Sequence, residues 1–322
     1  MRQFPTFYNP SDLLRLSVER GAEVAAAAHD YRRSQSVAPA AADRVKIAAF
    51  GIDCQIGFCY PEASLFVPGA VEDTQRAIEW IYRNLEQLTA LHFSLDTHRV
   101  FQIFHPAWWV DANGANPGPF TVISHDDVRS GRWMPVSHPR ESLEYTKRLE
   151  TSGKYVLTIW PYHTLLGGVS HALVPALMEA AIFHALARNR QTHFETKGTH
   201  AMTENYSVLS PEVHELNGQV VGGFNAPFFR MLMEFDRIYI FGQAKSHCVL
   251  STIRDLEEQI RRQDATLLDK IWILEDAMSP VPPPPLDPLP DELNFPLVAE
   301  RAFERFKAAG MHIVKTSDPL EV

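Results

Sequence analysis

The chain has 322 residues, 45% of them hydrophobic and 21% charged, with a formal net charge of -9. This is the composition of an ordinary soluble globular protein, long enough for one open α/β sheet with extensions, and its acidic balance offers no electrostatic footprint for nucleic acid or an anionic membrane surface. Three cysteines cannot all pair with one another and no secretory apolar region follows Met1, so a reducing cytoplasm is the expected address.

Leu13, Leu14, Leu16 and Val18, followed by an Ala-rich stretch to His29, predict a helix, and Ser34 to Ala42 reads as a linker. Residues 1–44 are thus expected as a helical arm lying on the domain, or as an arm reaching a neighbouring subunit of a homo-oligomer. The domain itself is expected over residues 45–322. Val45 to Ile52, Ala90 to Asp96, Arg237 to Gly242, Lys270 to Leu274 and Met311 to Val314 are short runs rich in β-branched or aromatic residues, suited to strands buried on both faces. Helical periodicity lies between them at Val71 to Leu88, at Ala172 to Arg188, after Cys248 and at Ala299 to Ala309. Alternating strand and helix predicts a parallel sheet with right-handed crossovers. The run from Ala172 to Ala187 is too short to span a bilayer and carries Glu179 and His184, so it is expected as a packed helix. Residues 280–290, with their many prolines, predict a stiff surface connector more than a site for a proline-binding partner.

Ligands of open parallel sheets sit beyond the carboxyl ends of the strands, and the chemistry-bearing residues fall there. Asp53 follows the first strand, Lys197 closes Glu195-Thr196-Lys197-Gly198, and Cys248 follows Gly242-Gln243-Ala244-Lys245-Ser246-His247. A thiol is the nucleophile least handicapped at neutral pH, and it wants a carboxylate to take its proton and a cation to hold the thiolate. Val249, Leu250, Ile253, Leu256 and Ile260 recur at helical spacing, which puts Cys248 at a helix N-terminus where the dipole favours the thiolate. A lone cysteine there is also an ordinary small core residue, as Cys54 and Cys59 are taken to be. A second group lies beside the first. Asp96 and His98, two apart at a strand end, can point to one side, and with His105 and His163 they offer three imidazoles and a carboxylate, a donor set zinc, iron or manganese accepts.

These segments together resemble the isochorismatase-like cysteine hydrolase superfamily, in particular its nicotinamidase-like members. The resemblance runs from Val45 to the C-terminus, with an insertion between Trp108 and Lys154, and rests on Asp53-Cys54-Gln55-Ile56-Gly57-Phe58-Cys59, Asp96-Thr97-His98, Trp160-Pro161-Tyr162-His163, Lys197-Gly198 and Cys248. It implies a three-layer α-β-α sandwich around a mostly parallel sheet. It also implies Asp53 as proton shuttle, Lys197 and Cys248 as its triad partners, a cis peptide at Gln243-Ala244, and an oxyanion hole from the N–H groups of Ala244 and Cys248. Asp96, His98, His105 and His163 would hold one divalent transition metal, zinc with iron or manganese as substitutes. Phe58 and Trp160 would flank a planar substrate, with Gln243 at the pocket floor where the family usually has an aliphatic residue. The implied reaction converts a small aromatic carboxamide such as nicotinamide to its acid and ammonia through a cysteine thioester. A metal-independent carbamoyl-type amidase, an isochorismatase-type hydrolase and a non-catalytic binding protein remain as alternatives. The insertion, which runs through Trp108-Trp109 and Asn113 to Pro119, is a candidate roof over a larger pocket.

Overall fold

The computed structural model describes residues 4–16, 20–152, 155–284 and 287–321; Val18 and Lys154, named above, lie outside them. Six strands form the main sheet: β1 (Ile47–Ile52), β2 (Ala90–Asp96), β3 (His193–Lys197), β4 (Arg237–Gly242), β5 (Ile271–Leu274) and β6 (His312–Val314). Their order across the sheet is β6-β5-β4-β1-β2-β3, and every neighbouring pair is parallel. The chain therefore builds outward from β1 to β2 and β3, then returns to place β4 on the other side of β1. The loops leaving β1 and β4 diverge at that reversal, which opens a crevice at their carboxyl ends.

The longer helices are α1 (Gly21–Ser34), α2 (Ala70–Arg83), α3 (Pro139–Ser152), α4 (Pro175–Arg188), α5 (Ala226–Met233), α6 (Leu250–Gln263) and α7 (Phe295–Ala308). Side chains alternate across β1: Ala48, Phe50 and Ile52 enter the core shared with α5, α6 and α7, whereas Ile47 and Ala49 enter the core shared with α1, α2 and α4. Both faces are covered, so the three-layer α-β-α sandwich is the observed architecture. Local signals agree with it. Asn225 and Asn294 cap α5 and α7 with a proline in the next turn, and α4 opens on Pro175 and stops at Asn189 in the left-handed region.

The arm departs from its expected form. The helix starts at Gly21, after the leucines, and runs through the Ala-rich stretch whose helix propensity is high; Leu13 precedes it as a buried plug, while Leu16 is exposed. Phe7 packs on Phe183 of α4 and Tyr82 of α2, and Arg188 reaches back to Asp43, so the arm lies on its own domain. The insertion adds α3, a short helix over His125–Ser130 and two small antiparallel pairs, and buries Trp108, Trp109 and Tyr145 beside α5 and α6. No described helix is long and apolar enough to cross a membrane.

Candidate active site

Asp53, immediately after β1, adopts φ 49, an uncommon left-handed conformation for a residue with a side chain, and its carboxylate is fully buried. Ser94 on β2 donates to Asp53 Oδ1 at 2.6 Å and accepts the Asp53 N–H. Lys197 ends β3, where the parallel register sets it beside Asp96. Its three N–H bonds go to Asp96 Oδ1 at 2.7 Å, the Asn205 carbonyl at 2.8 Å and Cys248 Sγ at 3.6 Å, and Asp53 Oδ2 stands 3.0 Å away as its second ionic partner. Cys248 lies in the wide turn Lys245–Val249 that leads into α6. The chain reaches that turn through Gly242 at φ +122, where any Cβ would fall 2.0 Å from the Ile52 carbonyl oxygen, and through a cis peptide at Gln243-Ala244.

Burial decides the charges. It pushes the Asp53 carboxyl up against the pull of Lys197. Burial alone would lower Lys197, but the carboxylates of Asp53 and Asp96 hold its ammonium well above the usual lysine value. The Cys248 thiol is likewise driven well up by burial, more than Lys197 lowers it, with Asp53 and Asp96 adding to the rise. This corrects the expectation of a thiol lowered by its helix terminus: desolvation and two nearby carboxylates outweigh the dipole. Both shifts favour the protonated forms, the thiol and the Asp53 carboxyl alike.

The second group sits one step away. Asp96 Oδ2 is 2.8 Å from His98 Nε2 and 3.4 Å from His163 Nε2, and one ligand atom from each of the three lies within 4.8 Å of the others. In all three histidines Nδ1 faces a backbone carbonyl: Gly198 for His98, Pro161 for His163, Val100 for His105. A proton on Nδ1 leaves the lone pair on Nε2. The Nε2 atoms of His98 and His105 are buried and make no hydrogen bond. A carboxylate oxygen and an imidazole lone pair at 2.8 Å repel each other unless a cation lies between them, so this donor set fits a transition metal. His105 falls outside the tight group, its ring centroid 5.8 Å from that of His98 and 6.1 Å from that of His163. Burial and these neighbouring imidazoles depress it to about 3, so it stays a neutral donor. Gln55 brackets the Asp96 backbone, donating to its carbonyl and accepting its N–H, and Gly198 is required because a Cβ would press to 2.8 Å from the His98 ring.

A cavity lies over Cys248; Phe58, Trp160, Glu204, Tyr206 and His247 form much of its wall. Phe58 and Trp160 line the cavity. Gln243 does not: its side-chain amide donates to Asp73 at 2.9 Å. The described residues of the 108–154 insertion do not line it either, so they form no roof over it. Glu204, Tyr206 and His247 went unrecognised in the sequence. Glu204 is buried, which lifts its carboxyl to about 7, and Tyr206 accepts the Trp160 indole N–H at 3.0 Å. The first two lie in a stretch without periodicity, and His247 carries no signal beyond its place before the cysteine.

No family model and no curated relative matches the sequence at a significant level. Solved structures do match in fold. A nicotinamidase/pyrazinamidase of Acinetobacter baumanii superposes with a TM-score of 0.52 at 18% identity, over 85% of this chain and 98% of that one. The yeast nicotinamidase superposes with a TM-score of 0.53 at 16% identity, over 83% of this chain and 99% of that one. The same yeast enzyme bound to the inhibitor nicotinaldehyde gives 0.52 at 17% identity, over 84% and 99%. At such identities the likeness establishes the shared fold.

Proposed function

We propose that the protein hydrolyses a small aromatic carboxamide, nicotinamide being the reference substrate, to the acid and ammonia through a thioester on Cys248. The observation that carries this reading is the single buried ammonium of Lys197 touching Asp53, Asp96 and Cys248 at the floor of an aromatic-walled cavity. The fold-related enzymes of Acinetobacter baumanii and yeast are nicotinamidases, which supports the substrate class.

In this mechanism Asp53 accepts the thiol proton as Cys248 attacks the amide carbon, and the N–H groups of Ala244 and Cys248 hold the oxyanion. Asp53 then returns the proton to the departing ammonia. The same carboxylate takes a proton from water as it attacks the thioester, which releases the acid and restores the thiol. Lys197 keeps both partners in register and compensates their charge. Phe58 and Trp160 sandwich the planar ring. Asp96, His98 and His163, with His105 behind them, would hold a divalent metal whose contribution is to polarise and orient a ring nitrogen donor. A metal-independent amidase would leave the unpartnered Nε2 atoms of His98 and His105 unexplained.

The test is ammonia release across a panel of small amides by the purified protein. Turnover of nicotinamide should fall by at least about 10³-fold in Cys248→Ala without loss of fold, since the thiol supplies the covalent step. Elemental analysis should find about one transition metal per chain, depleted in His163→Ala. Near-normal turnover in folded Cys248→Ala would sink the mechanism.

A further inference from the structure

The catalytic cavity has a neighbour. Tyr206 and His247 line it on one side and a second, open cavity on the other. The second cavity has Tyr155 and Phe295 as its aromatic walls, Leu149 and Thr158 from the inserted segment and its exit, and two exposed carboxylates, Glu150 and Glu292, at its rim. His247 is the hinge of the arrangement: its ring stacks on Tyr155 at 5.0 Å and meets Phe295 edge-on at 4.7 Å and Tyr206 at 5.5 Å. Burial depresses it to about 3, so the partition is neutral and aromatic.

Resting on the amide-hydrolase reading above, we propose that this second cavity is a substrate subsite, taking an apolar or aromatic arm carried on the ring of an extended aromatic amide whose carboxamide reacts at Cys248. Three observations support that occupant. The two cavities share the wall residues Tyr206 and His247, so that aromatic wall is what an arm carried on the ring has to pass to reach the second. The walls present aromatic faces suited to a flat or alkyl group. The rim is acidic, so a neutral or cationic arm is admitted and an anionic one repelled. The inserted segment thus extends the site sideways instead of covering it.

The experiment compares kcat/KM for nicotinamide with that for nicotinamides bearing a phenylalkyl, an aminoalkyl or a carboxyalkyl arm on the ring. The wild type should cleave the phenylalkyl and aminoalkyl compounds at least as efficiently as nicotinamide, and the carboxyalkyl compound about tenfold less well. Thr158→Trp, which fills the second cavity, should reduce kcat/KM for the armed amides about tenfold while leaving nicotinamide within about twofold. Glu292→Lys changes only an exposed rim charge, so its fold is safe, and it should reverse the order of the aminoalkyl and carboxyalkyl compounds. Efficient cleavage of nicotinamide together with no cleavage of any armed amide, or armed-amide rates that neither variant moves, would overturn the subsite and leave the amidase reading intact. No cleavage of any amide would take down both.

Discussion

Lys197 carries more of this site than any other side chain. Two carboxylates, Asp53 and Asp96, share its one buried ammonium. Removing one partner of a buried ion pair is more damaging than never having had the pair, because the remaining charge is left in low dielectric. Lys197→Met, which keeps the volume and deletes the charge, should therefore abolish amide hydrolysis and also destabilise the fold by about 3–5 kcal/mol in urea titrations. Cys248→Ala should be lethal to activity alone, since it removes little packing volume and no charge. A Lys197→Met protein as stable as wild type would mean that the two carboxylates are compensated in some other way. The same residue explains the thiol. Burial and the two carboxylates raise the thiol more than the ammonium 3.6 Å away lowers it, so in the proposed mechanism ionisation is coupled to proton transfer onto Asp53.

At the scale of elements, the sheet that aims these residues carries a polar flaw. His92 lies within β2 with both ring nitrogens buried and unpartnered, among His193, Phe228 and Phe235. Burial, aided by the neighbouring His193, depresses it to about 3. Folded His92 stays neutral while the unfolded chain protonates it near pH 6.5, so stability is intact above that pH and is lost as pH falls from 6.5 toward 3, at about 1.4 kcal/mol per pH unit. His92→Leu should accordingly stabilise the protein by about 2 kcal/mol at pH 5 and flatten the acid limb of its denaturation profile. An unchanged profile would show that His92 finds a partner in solution. Strands such as β1, β2 and β4 were legible because burial on both faces leaves a continuous apolar run. The extent of β3 was not, because it is an edge strand whose His-Phe-Glu-Thr-Lys reads as no run at all, although Lys197 at its end was visible. Asp53 and Cys248 were legible for the same reason, a polar residue stranded where a hydrophobic strand stops. Glu204 and Tyr206 reach the cavity from a loop, where no period announces which side chains turn inward. Gln243 shows the converse: its place in the sequence is beside the nucleophile, but the backbone direction sends its amide to Asp73.

Across the whole molecule, the described residues of the arm, 4–16 and 20–44, are structural cover for the face of the sheet away from the inserted segment. Val24 and Ala28 are buried against α4, and Asp43 accepts from Arg188, a guanidinium only 1% exposed whose other donors go to the Ala38 and Leu88 carbonyls. An arm built to reach a neighbouring subunit would be released without harm to the domain. This one would uncover Phe183 and Tyr82 and leave a buried cation unpaired. Asp43→Ala isolates the second effect from the first, because the side chain is small and its carboxylate pairs with Arg188 and accepts from Thr89. It should cost about 3 kcal/mol in stability, measured by urea unfolding, while the mass from light scattering and the turnover at the distant cavity stay as in the wild type. A variant that keeps its stability but drops in mass would place the arm in an interface between copies, since only a contact made by a second chain could then depend on Asp43.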